Sequence, residues 1–344
     1  MRNCILYMLI CCFISTYLST SNNTQTEPLY WQIYVQNYTK EFFIKRLGWD
    51  PKITIYNDPR LSVVINDSCT VYCHGWGESQ SSIGRRRAWG LLPGLIVGFN
   101  FYDGVEDDND LSFCKSSFAQ KYDCKALCAV LKLLDEASCP VIHLFGYSRG
   151  GGTICNTIRR LKNYEKYRKF FKKLGISKNQ ANSILVRIRK GTIILDCPLV
   201  DTRVIIKYRF PSVWGLINYI VVPLITLGKH APWKDQPIDA ATFLKEFNVL
   251  LHIQYRDRVV TNLCDVDFYK ALQSPTTHVL YADDNGHFHT GQTLYPCLQA
   301  FRKKYNGPYY NNASVLQVGE NFLAKSQPTE SDIEAYFNQY VIHM

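Results

Sequence analysis

The residues best suited to chemistry are a serine and its glycine neighbours in segment 146–150, which reads GYSRG. Before it, residues 141–145 form an apolar run that predicts a buried strand, and residues 151–154 after it open a helix-like segment. A serine in a sharp turn from strand to helix projects its hydroxyl above the sheet, within reach of a histidine. The flanking glycines are needed because a Cβ there would collide with the packed elements. The pattern predicts that Ser148 is a nucleophile.

Three other segments carry polar residues directly after apolar runs that predict strands. Residues 70–73 run into HGWG at 74–77, where the backbone N–H of Trp76, together with that of Arg149, is suited to hold an oxyanion. Residues 247–254 are followed by RDRVV, in which Asp257 occupies the place of a triad acid. Residues 278–282 are followed by NGHFH, in which His287 can fold back over Ser148.

With these four motifs in this order, roughly residues 60–305 resemble the α/β-hydrolase family. The resemblance implies an α/β fold with a mostly parallel central sheet flanked by helices. In such enzymes the acid follows a late strand and the histidine follows the last strand. The resemblance therefore implies Ser148 as nucleophile, His287 as general base and Asp257 as the acid that orients it. Asp103, after the predicted strand 95–102, is similar to the family's aspartate-containing turn.

Alternatives remain for two members of this triad. His289 lies two residues beyond His287 and competes for the role of base. Asp196, which follows the predicted strand 192–195, and Asp201 compete with Asp257, because some hydrolases of this class carry the acid one strand earlier. His74 is expected to brace the oxyanion loop rather than to take part in the chemistry.

The activity that the resemblance implies is that of a serine hydrolase. Such an enzyme cleaves a carboxylic ester, lipid esters included, through an acyl-enzyme, and it needs no metal and no organic cofactor. Amide or thioester cleavage stays open. A different class of function is a non-catalytic binding protein on a hydrolase fold, which an active-site-directed fluorophosphonate would fail to label.

The ends of the chain and one insertion predict the domain organisation. Residues 1–21 combine Arg2 with an apolar run and resemble a signal peptide, which predicts export, with an uncleaved membrane anchor as the alternative. Residues 22–344 form one hydrolase domain, with a lid at about 198–246 and a C-terminal extension at about 306–344. The lid contains the apolar run 213–225, which either walls an acyl pocket or touches lipid as part of the lid, or is one more core helix.

Cysteine is abundant, with thirteen in the chain and ten outside the leader. Disulfides are compatible with export, and four cysteines around one predicted helix are expected to pair: Cys114, Cys124, Cys128 and Cys139. Cys73 and Cys197 lie at strand ends and are expected to be inert buried thiols. No spacing of cysteine and histidine resembles a zinc site.

The net charge of +10 is concentrated in one stretch. Between Arg159 and Lys190 there are twelve basic residues and one acidic residue, Glu165. Aromatic residues recur there near helical spacing, so a basic amphipathic helix could lie on an anionic membrane. The alternative is a solvated helix that covers the sheet. No nucleic acid is expected as a partner, because no recognised binding module accompanies the charge.

Overall fold

The structure is a computed structural model that describes residues 35, 40–56, 68–86, 94–101, 117–226, 230–231, 233–254, 257, 259–260, 268, 271–272 and 277–282. The predicted leader 1–21 and C-terminal extension 306–344 lie outside the described residues, so export and anchoring stay predictions. None of the helices in the described ranges is both long enough and apolar enough to cross a membrane.

Seven strands form one sheet in the order β1-β3-β2-β4-β5-β6-β7. β1 pairs with β3 in antiparallel orientation, and every other pair is parallel. The mostly parallel sheet that the sequence predicted is confirmed, and so are its late strands. The strands are β1 (Thr54–Tyr56), β2 (Ser68–Cys73), β3 (Leu95–Gly98), β4 (Val141–Tyr147), β5 (Thr192–Asp196), β6 (Asn248–Gln254) and β7 (Thr277–Ala282).

Helices connect these strands and pack on the sheet. Within the described ranges the α-helices are α1 (Lys40–Leu47), α2 (Lys121–Glu136), α3 (Arg149–Lys162), α4 (Arg168–Leu174), α5 (Lys178–Arg189), α6 (Thr202–Arg209), α7 (Trp214–Leu216), α8 (Val222–Ile225) and α9 (Ala241–Leu244). A π-helical turn, Ile217–Val221, joins α7 to α8, and 3-10 turns span Gln80–Arg86 and Pro237–Ala240.

The central strands are buried on both faces, as expected for a parallel sheet covered by helices. All residues of β2 and β5 are buried, and so are all residues of β4 after Val141. The register sets Cys73 beside Gly146, and it sets Asp196 between Tyr147 and His252. The carboxyl ends of four strands therefore meet at one edge, where ligands bind in open α/β sheets.

The predicted lid region lies between β5 and β6 and is largely helical. One part is core, because Ala241 and Leu244 of α9 are buried. The apolar run 213–225 is the opposite case: it forms α7, the π turn and α8, and many of its large side chains are exposed. The suggestion that this run is one more core helix is therefore wrong. Its use as a lid stays a proposal.

The predicted disulfide cluster is wrong for the three of its cysteines that lie in the described residues. Cys124, Cys128 and Cys139 are buried free thiols. Cys124 and Cys128 face the core from α2, whereas the Sγ of Cys139 lies 3.6 Å from the Sγ of Cys69. Burial raises the pKa of the thiols of Cys124 and Cys128, so both stay protonated. Cys114 lies outside the described residues.

The inert character expected of Cys73 and Cys197 agrees with the structure. Both are free thiols with no exposed surface. Burial raises the pKa of the Cys73 thiol well above its usual range, which disfavours the reactive thiolate.

The basic stretch between Arg159 and Lys190 is not one amphipathic helix. It comprises the end of α3, α4 and α5. Most of its apolar side chains are buried in the core, among them Phe170, Phe171 and Leu174, and these are not available to enter a lipid layer; Val186 is exposed. Six of the twelve basic residues form ion pairs: Arg159, Arg160, Lys162, Lys178, Arg187 and Arg189.

The close packing between α3 and β2 yields a test of the fold. A Cβ added at Gly150 would lie 1.9 Å from the carbonyl oxygen of Cys73, whereas one at Gly215 would meet nothing within 4 Å. We expect Gly150→Ala to lower the free energy of unfolding by about 3 kcal/mol or more, because backbone must move. Gly215→Ala should leave it unchanged or raise it by up to about 1 kcal/mol. Urea denaturation measures both, and equal midpoints for the two variants would contradict this packing.

Candidate active site

Ser148 stands between β4 and α3 in a backbone conformation that side-chain-bearing residues avoid. Its φ is 50° and its ψ is −115°, and the residue is only 7% exposed. Such a conformation costs about 1–3 kcal/mol and persists only where the surroundings hold it. It is also the conformation expected of a nucleophilic serine on a sharp strand-to-helix turn. The predicted strand, turn and helix around Ser148 are thus all present.

The glycines around Ser148 allow three backbone segments to approach one another. A Cβ at Gly146 would lie 2.6 Å from the backbone of Gly151 across the turn. A Cβ at Gly150 would overlap the end of β2, as described above. A Cβ at Gly75 would lie 2.6 Å from the ring of Tyr147, so the HGWG loop packs directly beside the serine turn. The steric reason that the sequence suggested for these glycines is confirmed.

The end of β5 holds the serine turn from the other side. The N–H of Ser148 donates to the carbonyl of Asp196 at 2.8 Å, and the carbonyl of Ser148 accepts from the N–H of Leu199 at 2.8 Å. Between them, Cys197 adopts a φ of 44° and donates its N–H to the carbonyl of His252 at 2.9 Å. The turn is therefore bonded to β5, and β5 in turn is bonded to β6.

Asp196, the rival for the triad acid, is engaged with a different histidine. Its Oδ1 lies 2.7 Å from Nδ1 of His252, and neither side chain has exposed surface. Asp196, Cys197 and His252 are also the group, within the described ranges, whose ligand atoms lie within 4.8 Å of one another and could hold a metal. The short hydrogen bond to His252 satisfies Oδ1 of this buried carboxylate. Nothing in the sequence pointed to His252.

Arg149 follows Ser148 and is the largest fully buried side chain among the described residues. Its guanidinium binds the carboxylate of Asp123 in a bidentate pair, Nε to Oδ2 and Nη2 to Oδ1, each at 2.7 Å. The guanidinium also lies 4.6 Å from the centre of the Phe101 ring. The same carboxylate accepts the N–H of Ala119 at 2.7 Å. The first residue of α3 is thereby tied to α2 and to the end of β3.

The sequence analysis missed Asp123, because no local pattern links it to a partner 26 residues away. The available signal was indirect. A buried guanidinium requires a carboxylate partner, but the burial of Arg149 itself is visible only in the structure.

His74 braces the loop that carries Trp76, as expected. Its Nδ1 donates to the carbonyl of Gly75 at 2.8 Å, and its Nε2 accepts the N–H of Phe101 at 3.3 Å. Glu78 adds a second brace by accepting the N–H of Gly75 at 3.0 Å. Trp76 itself is 38% exposed. The loop beside the serine turn is thus held by its own side chains and by the end of β3.

Aromatic and polar side chains surround this loop on the side of the insertion. The ring of Phe118 lies 6.1 Å from that of Trp76 and 5.5 Å from that of His230. His230 is buried, with Nε2 3.1 Å from the hydroxyl of Thr202 and Nδ1 3.3 Å from the carbonyl of Ser117. Burial lowers its pKa to about 4, so the ring is neutral at physiological pH. This cluster ties the start of α6 to the loop before α2.

Asp257 lies three residues beyond the end of β6 and is buried. Its Oδ1 accepts the N–H groups of Val259 and Val260 at 2.7 and 2.8 Å. These bonds hold the carboxylate in a turn at the carboxyl edge of the sheet. The proposed base His287 and its rival His289 lie outside the described residues, as does Asp103, and their roles stay predictions.

Comparisons with known proteins add a likeness in fold. The chain matches esterase Pf2001 of Pyrococcus furiosus at 18% identity and a TM-score of 0.44, over 70% of this chain and 82% of that one. It matches Est1E of Butyrivibrio proteoclasticus at 12% and 0.49, over 74% and 96%. It matches a monoacylglycerol lipase of Paleococcus ferrophilus at 13% and 0.46, over 74% and 98%.

No protein-family model and no curated protein matches the chain. Matches with identities and TM-scores this low concern the course of the backbone only. The activity has to be argued from the site.

The buried pair of Asp123 and Arg149 yields a prediction on stability. In Asp123→Asn the guanidinium keeps its burial and loses its counter-charge, which should lower the free energy of unfolding by about 3–5 kcal/mol. Glu165→Gln is the matched control, since its ion pair with Lys178 is exposed and should contribute nothing measurable. Urea denaturation of both variants is the measurement. A loss in Asp123→Asn no larger than that in the control would show that the pair does not stabilise the turn.

Proposed function

We propose that the protein is a serine hydrolase that cleaves a carboxylic ester through an acyl-enzyme on Ser148. The observation that carries the proposal is the backbone of Ser148, which has a φ of 50° at the carboxyl end of the central strand β4 and is followed at once by α3. Strain of this kind is concentrated at functional sites. Within the turn 146–150 only Ser148 has a positive φ, and the residue there is a serine rather than the glycine that would adopt this conformation without strain.

In the proposed reaction, His287 removes the proton of the Ser148 hydroxyl as its oxygen attacks the ester carbonyl. The tetrahedral intermediate collapses, the C–O bond to the alcohol breaks, and His287 returns the proton to that alcohol. Water then attacks the acyl-enzyme with the same base, which releases the acid and restores Ser148. Asp257 orients the imidazole and stabilises its protonated form.

The oxyanion is proposed to be held by the backbone N–H groups of Trp76 and Arg149. Arg149 is the first residue of a fourteen-residue helix, whose N-terminus carries a partial positive charge that favours a developing anion. Bonds from His74 and Glu78 support the loop of Trp76. Donors fixed in place before the reaction need no reorganisation when the charge forms, which is the main source of such stabilisation.

The substrate class is proposed from the surroundings of the loop. Trp76 and Phe118 offer apolar ring surface beside the serine turn, which suits the carbon chain of an ester, lipid esters included. Amide and thioester cleavage use the same machinery and remain alternatives. The other class of function is a non-catalytic binding protein on this fold, for which the strained Ser148 would have no role.

That an anionic membrane contacts the basic residues between Arg159 and Lys190 stays a prediction. Fewer of these residues are available for such a contact than the sequence suggested. Half of these residues are paired, several of them with carboxylates of the segment before β6, such as Asp235 and Glu246. The other six basic residues are exposed and have no carboxylate partner in the described part of the chain: Lys166, Arg168, Lys169, Lys172, Lys173 and Lys190. These charges could attract an anionic surface, but no apolar face accompanies them.

The central test is replacement of the proposed nucleophile. Ser148→Ala should reduce turnover of a short p-nitrophenyl ester by roughly 10³-fold or more and should abolish labelling by a fluorophosphonate. Ser81→Ala is the control, because that serine is exposed on the 3-10 turn after the HGWG loop. Unchanged labelling of Ser148→Ala would disprove the assignment. An unlabelled, inactive wild-type chain would favour the binding protein.

A second set of variants tests the partners of Ser148. His287→Ala and Asp257→Asn should each lower kcat steeply with little change in KM, because they act on the proton transfer and not on binding. His289→Ala should leave kcat near the wild-type value. Asp196→Asn should instead lower stability, since it changes the carboxylate that forms the short, buried hydrogen bond with Nδ1 of His252. A steep loss of kcat in Asp196→Asn at wild-type stability would transfer the acid role from Asp257 to Asp196.

A further inference from the structure

We propose that the protein docks on an anionic lipid surface through one exposed helix, formed by α7, the π turn Ile217–Val221 and α8. This helix is called the apolar helix below. The proposal does not depend on the proposed catalysis, because it concerns a surface and not the serine turn.

Exposed apolar surface is concentrated on this helix. Among the described residues, eight of the eleven exposed large apolar side chains lie between Phe210 and Trp233, which is a patch and not normal scatter. Three of them lie on the helix at intervals of four residues and share one face: Leu216, Ile220 and Leu224. Leu224 is 68% exposed. A face of this kind is unfavourable in water and requires an apolar partner.

The charges around the apolar helix indicate which partner. From Thr202 to Lys234 the sequence has five basic residues and no acidic one, and residues 210–226 carry no charge at all. Lys207, on α6 before the helix, and Lys234, after it, are exposed. An apolar face with a cationic rim complements a layer with an apolar interior and anionic headgroups. A second copy in a symmetric pair would set one cationic rim against another.

Aromatic side chains on and beside the apolar helix also favour a lipid layer as its partner. The ring of Tyr219 lies 5.9 Å from that of Trp214 and 6.0 Å from that of Trp233, with which it is stacked. Tyrosine and tryptophan favour the boundary between headgroups and acyl chains, where the ring is apolar and its polar atom is hydrated. The three helical pieces together are too short to span a bilayer, so the helix would lie in the plane of the interface.

The fold holds the apolar helix in this exposed position from both ends. Before it, Asp201 accepts the N–H of Arg203 and caps α6. After it, the hydroxyl of Thr226 accepts the N–H of His230, and Gln120 donates to the carbonyls of Ala231 and Lys234. The helix is therefore anchored to α2 and to the end of β5, and docking needs no refolding of the core.

The irregular centre of the helix has a local cause. Pro223 has no N–H to donate to the carbonyl of Tyr219, and its ring crowds that carbonyl. The N–H of Val222 donates instead to the carbonyl of Ile217, five residues back. Tyr219, Ile220 and Val221 lie in this wider turn, and all three are exposed.

The test is co-sedimentation of the full-length chain with vesicles of phosphatidylcholine alone and of phosphatidylcholine with phosphatidylglycerol. We expect binding to the anionic vesicles, weakened by raised salt. The double change Leu216→Asp and Ile220→Asp should weaken it roughly ten-fold or more. Val186→Asp is the matched control on α5, because Val186 is similarly exposed but lies outside the patch, and it should bind as the wild type does. Circular dichroism establishes that each variant is folded.

Charge variants separate this surface from the basic stretch of α4. Lys207→Glu with Lys234→Glu should weaken binding, whereas Lys169→Glu with Lys172→Glu should change it less. Ser148→Ala should bind vesicles fully, so loss of catalysis and loss of docking are distinguishable. The proposal is overturned by absence of vesicle binding, by equal binding to both vesicle types, or by binding that survives the aspartate changes. It is also overturned if those changes dissolve a dimer of the wild-type chain, which would make a second copy the occupant.

Discussion

The hydrogen bond from the N–H of Ser148 to the carbonyl of Asp196 is the contact on which the rest of the site depends. It holds a non-glycine residue at a positive φ, where the backbone would not stay by itself. The N–H of Leu199 donates to the carbonyl of Ser148 and closes the turn from the same side. On the other side, the carbonyl oxygen of Cys73 at the end of β2 packs closely against Gly150. For the nucleophile that we propose, a backbone held in this way would position the serine before any substrate arrives, which favours attack.

Two buried networks keep the elements around this turn in place. Arg149 and Asp123 join the start of α3 to α2, and His252 and Asp196 join the ends of β6 and β5. Buried charge is costly, so the pair of Arg149 and Asp123 contributes little net stability compared with an apolar core, but removing one partner is severe. Both pairs touch the residues on either side of the serine bond. We interpret them as devices that specify position, at the expense of stability that an apolar core would provide.

Basic residues lie in two surface regions of different character, which the net charge of +10 does not reveal. The dense basic stretch of α3, α4 and α5 lies over the core, and half of its basic residues form ion pairs with nearby carboxylates. The insertion between β5 and β6 has far fewer cations, but its residues 202–234 include no acidic residue, and Lys207 and Lys234 flank an exposed apolar face there. An apolar face next to unopposed charge is a stronger indication of an interface than charge density alone.

The sequence alone predicted most strands of the sheet and the serine turn, because both depend on local patterns. Apolar runs ended by glycine and polar residues predicted β2, β4, β5, β6 and β7, and the glycines around Ser148 predicted its close packing for the steric reason that the structure confirms. Only the tertiary structure decided which charges and thiols meet. Asp123 with Arg149 and Asp196 with His252 are contacts between residues far apart in sequence, so no periodicity reports them. The same holds for the cysteines: their number suggested disulfides, but helix α2 turns Cys124 and Cys128 into the core as thiols. Whether the apolar run 213–225 is buried or exposed was likewise undecidable from composition, since burial depends on what the rest of the fold places beside it.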